Sequence, residues 1–308
     1  MPLSEDLAAL AARVSNWSRF GADDQRGTLN FITPAAVLRG VAAVRRGDAF
    51  SLAIPMNADG PQTGGIPGRI NPQHRMVAIN QNYTGDTRDF TTNDDAVDMG
   101  VQAATHWDAL AHVGYDGLLY NGVPANDVDE RGARRLGIEN FGPVVTRGVV
   151  VDVARLHGVD HFDDNHVIDA DDFERATSRA GVTVEAGDIL MVRTGQMHWF
   201  REGDRDRYSH PSPGLGVGSI EWLHDHHVAA VATDNLTFEV FPCEDRKVFM
   251  PVHMINLRDQ GLVQGQVWHL DELAADCARD GVYECLLVAT PLPITGAVGG
   301  VVAPTAVK

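Results

Sequence analysis

The residues of this chain best suited to chemistry lie within one short segment, residues 102–117, with the sequence QAATHWDALAHVGYDG. His106, Asp108 and His112 occur there within seven residues. If the chain is extended as far as Asp108, alternate side chains share a face, so Gln102 and His106 point the same way as Asp108. One helical turn beyond Asp108 would return His112 to that side. Converging imidazole and carboxylate groups are typical of a first-row metal site that keeps one group free to move a proton.

A single His–Asp pair is more often a hydrogen-bonded pair than a metal site, so the wider sequence matters. The segment resembles the motif H-x-G-T-H-x-D-x-x-x-H of the cyclase family, which includes bacterial kynurenine formamidases, isatin hydrolases and some polyketide cyclases. Four positions match the motif, namely Thr105, His106, Asp108 and His112. Gln102 replaces the first His of the motif, and Ala104 replaces the Gly. The resemblance is to the longer branch of the family and extends over nearly the whole chain, including residues 27–34, 115–125 and 256–274.

The resemblance implies a metal centre. Kynurenine formamidase-like members hold two zinc ions and isatin hydrolase-like members one manganese, and the corresponding positions here are Gln102, His106, Asp108, His253 and Gln266. Asp108 is the only carboxylate among them, whereas two adjacent divalent cations normally need several carboxylates to offset their repulsion. We therefore expect one divalent cation, Zn or Mn, with nitrogen and oxygen ligands. Complete loss of the metal is the alternative.

The activity implied by the resemblance is hydrolysis of a small cyclic amide, lactone or formamide by a metal-activated water. His112 would be the general acid/base, and Asp234, at the end of a predicted strand, is the second candidate catalytic residue. Trp107 is a candidate apolar wall for a ring substrate, and His74 is the titratable side chain of a long loop that could reach the pocket. Two other readings stay open. One is a polyketide-type cyclase or dehydratase, and the other is a metal-free, non-catalytic binding protein on the same scaffold.

Composition restricts the classes of partner and compartment. The chain of 308 residues carries 42 acidic against 25 basic side chains, a net charge of −17, which repels phosphate backbones and anionic membranes. We therefore expect a small-molecule substrate and neither a nucleic-acid nor a membrane partner. The three cysteines have no CxxC spacing and form an odd set, which argues against disulfides and thiolate metal sites. Since the sequence also has no signal peptide and no apolar run of membrane-spanning length, it predicts a cytoplasmic location.

Helical and strand patterns alternate along the chain. Helices are predicted after a cap at Ser4, over 35–46, within 132–142, over 171–179 and after 219. Strands are predicted over 49–55, 148–155, 188–195 and 228–234. The roughly fifty residues after Pro55 are rich in Gly, Pro and Asn and predict a long surface loop.

This alternation predicts an α/β fold. The family resemblance implies more, namely a single domain over residues 1–308 of the swivelling β/β/α type. Such a domain has a central mixed β-sheet or barrel-like core flanked by helices, and residues 1–48 would form a helical segment packed on it. Because the family commonly forms dimers or tetramers, we expect a homodimer or homotetramer. The Gly/Pro-rich tail, residues 291–307, is the candidate interface.

Overall fold

The computed structural model describes residues 3–308, where strands and helices alternate. In chain order the strands are β1 (Ala49–Ser51), β2 (Gln73–Asn82), β3 (Thr91–Asp98), β4 (His106–Asp108), β5 (Val128–Asp129), β6 (Gly132–Ala133), β7 (Val145–Asp152), β8 (Val167–Ile168), β9 (Ile189–Arg193), β10 (Gly214–Leu215), β11 (Ala230–Thr233), β12 (Val263–Gln266), β13 (Glu284–Val288), β14 (Gly299–Val301) and β15 (Thr305–Val307). The α-helices are α1 (Glu5–Arg13), α2 (Pro34–Ala42), α3 (Val153–Leu156), α4 (Ala170–Ala180), α5 (Met197–Arg201), α6 (Arg205–Ser209), α7 (Ile220–Asp225), α8 (Pro251–His253) and α9 (Asp271–Asp280). A π-helix, Met254–Gln260, continues directly from α8.

Nine of these strands form one curled, mixed sheet in the order β1-β15-β13-β7-β9-β11-β12-β4-β14. Its centre, β7-β9-β11-β12, is parallel. The strands on both sides pair antiparallel, with β4 between β12 and β14. The predicted fold class, α/β with a central mixed sheet flanked by helices, is confirmed.

Strands β9 and β11 and the second half of β7 are buried on both faces, which explains their nearly continuous apolar sequences. Val150 and Met191 face one core cluster, whereas Val149 and Leu190 face a second cluster on the other side of the sheet. Alternate residues of a strand point in opposite directions, so each strand contributes to both clusters.

The N-terminal helices pack on this sheet and on the π-helix. Ser4 caps α1 as predicted, because its side-chain oxygen accepts a hydrogen bond from the Leu7 amide at 3.4 Å. The chain after α1 is held by Asn16, whose Nδ2 donates to the Gln260 carbonyl at 2.9 Å. The second predicted helix forms as α2 but ends at Ala42, before the predicted end.

Several predicted boundaries differ from those observed. The strand predicted over 148–155 ends at Asp152, since that side chain caps α3 by accepting from the Arg155 amide at 3.1 Å. The helix predicted within 132–142 is wrong, because those residues form β6 and a 3₁₀-helix, Ile138–Phe141. The predicted long loop contains the hairpin β2–β3, which the sequence did not reveal because most of its residues are exposed on both faces. The tail supplies β14 and β15 to the central sheet.

No helix within residues 3–308 is both long and apolar enough to cross a membrane. Cys243, Cys277 and Cys285 are buried and free.

Candidate active site

The site is built on β4, which carries His106 and Asp108 between two neighbouring strands. His106 pairs in register with Gln266 of β12, and Asp108 pairs with Gly299 of β14. Residues paired across strands point to the same face, so Gln266 and His106 lie beside Asp108. A Cβ at Gly299 would lie 2.8 Å from Gln102 Nε2, so glycine leaves the space that the Gln102 side chain needs.

His106 and Asp108 present two buried atoms, His106 Nε2 and Asp108 Oδ1, that have no hydrogen-bond partner among residues 3–308. The Nδ1 of His106 donates to the Ala104 carbonyl at 2.8 Å, which leaves a lone pair on Nε2. Nε2 and Oδ1 are 3.5 Å apart. Two acceptor atoms facing each other in this way, away from water, are suited to a shared cation.

The carboxyl of Asp108 is held in its ionised form. Burial alone would raise its pKa, but the imidazoles of His112, His106 and His253 outweigh burial and hold the pKa well below its usual value. Asp108 is therefore a carboxylate surrounded by three histidines.

His112 follows a tight turn in which its amide donates to the Ala109 carbonyl at 2.9 Å. This turn does bring His112 to the side of Asp108, with Nε2 at 3.6 Å from Asp108 Oδ1. Gln102 Nε2 lies 3.4 Å from the other ring nitrogen, Nδ1. Burial lowers the pKa of His112 although Asp108 raises it, so the ring is suited to act as a neutral base. The His112 side chain is 22% exposed, whereas that of His106 is 1% exposed.

His253 reaches the site from α8 and is oriented by Glu239, a residue that the sequence analysis missed. The ring Nδ1 hydrogen-bonds to Glu239 Oε1, which also accepts from the His253 amide at 2.8 Å. Burial lowers the pKa of His253, but the contact with Glu239 outweighs burial and raises it. A carboxylate behind a histidine is the usual outer support of a metal-binding ring. The sequence offers no spacing signal for Glu239, because the contact depends on how the chain folds back.

Gln266 lies between Asp108 and His253. Its Nε2 donates to Asp108 Oδ2 at 2.7 Å and lies 3.4 Å from His253 Nε2. Within the described chain, the predicted ligands do not form a trio whose His and carboxylate ligand atoms all lie within 4.8 Å of one another. The free lone pairs of His106 Nε2 and Asp108 Oδ1 suit one cation, and His253 Nε2 could join them only if the Gln266 amide turned away from Asp108.

Arg69 is a second residue that sequence reasoning missed. Its positive charge acts on Asp108, His112 and His253. Burial lowers the pKa of Arg69, while Asp108 raises it. Within residues 3–308, no hydrogen bond or ion pair holds its guanidinium, although most other arginines have one. An arginine without a protein partner beside a candidate catalytic centre is suited to bind an anionic group.

Trp107 is a core residue and not a pocket wall. It lies on the opposite face of β4 from its neighbours His106 and Asp108, is fully buried and packs edge-on against Trp268 at 4.8 Å. Its indole nitrogen donates to the Ala289 carbonyl at 2.8 Å.

Within residues 3–308, neither of the two remaining candidates forms a hydrogen bond or an ion pair with the three histidines. His74 is on β2, where its half-exposed ring hydrogen-bonds to Asp95 of β3 at 2.9 Å. Asp234 follows β11 and is fully buried, and its oxygens accept from the Thr194 amide, the Thr194 hydroxyl and the Gly195 amide at 2.9, 2.7 and 2.8 Å. These bonds favour a structural role in joining the ends of β9 and β11, so a catalytic role for Asp234 stays a prediction.

Comparison with known proteins places the chain in a family. The family model named Cyclase matches residues 50–240, and a search of curated proteins finds no match. A crystal structure described as a novel cyclase is 38% identical, with a TM-score of 0.86, over 96% of this chain and 99% of its own. Isatin hydrolase A from Labrenzia aggregata, bound to benzyl benzoate, is 18% identical, with a TM-score of 0.64, over 86% of this chain and 94% of its own.

A predicted metal-dependent hydrolase from Bacillus stearothermophilus is 16% identical, with a TM-score of 0.53, over 85% of this chain and 98% of its own. Similarity at 16–18% identity shows the fold alone. The family model and the 38% identical structure carry more weight, because the first spans more than half of the chain and the second nearly all of it. The chain therefore belongs to the cyclase family, as its sequence predicts.

Proposed function

We propose that this chain is a metal-dependent hydrolase that opens a small cyclic amide, lactone or formamide. The observation that best supports the proposal is the pair of buried atoms without a partner, His106 Nε2 and Asp108 Oδ1. Buried polar atoms in folded proteins are almost always hydrogen-bonded, so two adjacent exceptions are typical of a binding site for a cation.

The cation would be a single Zn or Mn ion held by His106, Asp108 and His253, with a side-chain carbonyl of Gln102 or Gln266 assisting. When bound, such an ion supplies Lewis acidity, which polarises a substrate carbonyl and lowers the pKa of water. Glu239 keeps the proton on Nδ1 of His253, so that its Nε2 presents a lone pair.

His112 would move the proton. Gln102 Nε2 lies 3.4 Å from Nδ1 and can donate to it, whereas Nε2 faces the candidate metal site at 3.6 Å from Asp108 Oδ1. Nε2 would therefore be the basic atom that accepts a proton from the attacking water and returns it to the leaving amine or alkoxide. Its partial exposure suits a group that must exchange protons, in contrast to buried His106.

Arg69 would bind the acyl oxygen of the substrate and the carboxylate of the product. Opening an amide or lactone ring releases a carboxylate, and the unpaired guanidinium supplies the complementary charge. We expect Arg69→Gln to raise KM for an acyl substrate and to leave the metal content nearly unchanged. Arg69→Lys retains the charge without the planar fork and should fall between the wild type and Arg69→Gln.

The experiment that tests the function combines metal analysis with a substrate panel. Protein purified without chelator should contain about one Zn or Mn per chain. Acid release from lactones, cyclic amides and formamides, followed in a pH-stat, should stop with chelator and return with the ion. Acid release by metal-free protein would refute the metal requirement. Absence of both metal and acid release would favour the non-catalytic binding protein. The hydrogen bond that the Gln266 amide donates to Asp108 Oδ2 supports this alternative, because it uses a carboxylate oxygen that could otherwise bind a cation.

We also propose that the active form is a homodimer or homotetramer in the cytoplasm, acting on a small molecule without a nucleic-acid or membrane partner. Exposed apolar side chains support the assembly, and they concentrate on the hairpin β2–β3 more than on the tail. Val77, Ile79 and Phe90 there are 54%, 68% and 59% exposed. Apolar surface of this kind is typical of a protein interface.

A further inference from the structure

We propose a second metal site, separate from the active site, formed by His157, His166 and Asp172. One ligand atom from each residue lies within 4.8 Å of the other two. His157 Nε2 is 2.6 Å from Asp172 Oδ1, and His166 Nε2 is 3.6 Å from Asp172 Oδ2. The site would take a first-row divalent cation with two imidazole ligands and one carboxylate ligand, for which Zn²⁺ is the best match.

Three different elements fix these side chains. His157 ends α3, His166 directly precedes β8, and Asp172 lies in the first turn of α4. The His166 carbonyl accepts from the Gly214 amide at 3.1 Å, and its ring stacks on Phe162 at 4.1 Å with only 2° between the planes. The His166 imidazole is therefore held in place before any ion binds, which reduces the entropic cost of binding.

The carboxylate of the cluster has no permanently charged partner within residues 3–308. Asp172 is 5% exposed, and within residues 3–308 its carboxylate forms ion pairs only with the two imidazoles and with no Lys or Arg. A buried carboxylate is costly unless it is compensated, and an imidazole is not a permanent cation. A divalent ion would supply the missing charge.

His166 gives an independent indication. Its Nε2 is buried and has no hydrogen-bond partner in the described part of the chain, because Asp172 Oδ2 lies 3.6 Å away, too far for a hydrogen bond. Buried ring nitrogens are normally partnered, so this atom is available to a ligand.

The distances suit zinc after a small adjustment. Zinc bonds of about 2.0–2.1 Å in a tetrahedral site place ligand atoms roughly 3.3 Å apart. The 3.6 Å contact is already close to that value, whereas His157 would move back from its 2.6 Å contact by less than about 1 Å. The His157 and His166 side chains are 28% and 26% exposed, so water can complete the coordination. The ion would then join α3, α4 and the segment before β8.

Zinc binding to the full-length chain tests the proposal. Stoichiometry and affinity would be measured by dialysis with atomic emission and by chelator competition, and Co²⁺ would serve as a spectroscopic probe. We expect His166→Gln to lose one zinc per chain and the visible Co²⁺ absorption of this site. The affinity of this site for zinc should fall by more than roughly 10- to 100-fold, which is the usual effect of removing a residue that only supports a metal ligand. His161→Gln is the matched control, because His161 lies in the same segment with a 22% exposed side chain but outside the trio.

The site shares no residue with the proposed active site, so the two proposals can fail independently. In a His106→Ala background, the remaining zinc should still depend on His166. Zinc should also raise the Tm of wild type and His161→Gln more than that of His166→Gln or His157→Gln. Equal zinc stoichiometry and affinity in wild type and both trio variants would overturn the proposal, as would equal Tm shifts.

Discussion

Replacing Gln266 with glutamate places a second carboxylate beside Asp108, and we expect the variant to depend on a bound cation for its stability. In the wild type, Gln266 Nε2 donates to Asp108 Oδ2 at 2.7 Å. In Gln266→Glu a second carboxylate would occupy that place, fully buried next to an ionised Asp108. The favourable hydrogen bond would become a repulsion between like charges.

The size of this effect follows from the distance. Two unit charges about 4 Å apart interact by about 4 kcal/mol at an effective dielectric constant of about 20. The new glutamate can avoid this repulsion by taking up a proton, which at pH 7 costs about 3.7 kcal/mol from an ordinary pKa of about 4.3. Both routes give a loss of about 4 kcal/mol in the free energy of unfolding when chelator is present.

A cation bound between Asp108 and the new carboxylate would remove this penalty. The same 4 kcal/mol would then appear as an increase in Zn or Mn affinity of up to about 10³-fold. Urea unfolding in chelator and in excess cation, together with calorimetric titration, measures both quantities. Gln266→Met is the matched control, because it loses the hydrogen bond to Asp108 without adding charge, and the cation should not rescue it. If Gln266→Glu is as stable as wild type in chelator and binds the ion no more tightly, residue 266 does not face a cation site.

Three further predictions concern proton transfer, buried charge and assembly. His112→Ala should keep the metal and the fold while kcat falls by roughly 10² to 10⁴, whereas His106→Ala should lose metal and activity together. Loss of metal in His112→Ala would instead show that His112 is a metal ligand. Burial raises the pKa of Asp234 to about 6, because its effect outweighs that of the hydrogen bonds from Thr194, which lower the pKa. Between about pH 4 and pH 6 the folded state therefore binds a proton that the unfolded state releases, so the free energy of unfolding falls as the pH rises. Asp234→Asn lacks this pH-dependent contribution. In urea unfolding, the difference in free energy of unfolding between wild type and Asp234→Asn should therefore shrink by up to about 3 kcal/mol from pH 4 to pH 7. A difference that widens over this range would contradict the prediction. Light scattering after size exclusion should show a dimer or tetramer at micromolar concentration. Ile79→Lys in the exposed hairpin should weaken this assembly, and a monomeric wild type would contradict the prediction.

The fold class, and the position of His106 and Asp108 on one face of a strand, could be predicted from the sequence. The apolar runs that became β7, β9 and β11 were predictable because parallel strands buried on both faces need apolar side chains at every position. His106 and Asp108 share a face because their spacing of two is the period of a strand, and that spacing is local. The family motif then pointed to His253, which lies far along the chain.

The other contacts of the site could not be predicted from the sequence. The bond from Gln266 to Asp108 links residues 158 positions apart, and the support of His253 by Glu239 depends on the approach of α8 to a distant segment. Trp107 lies among site residues in sequence but in the core in space, because its side chain points to the other face of β4. Arg69 carries no motif, and the effect of its charge on Asp108 links residues that are far apart in the sequence. Such contacts depend on strand register and on packing between distant segments, and these are properties of the whole fold that residue spacing along the chain does not encode.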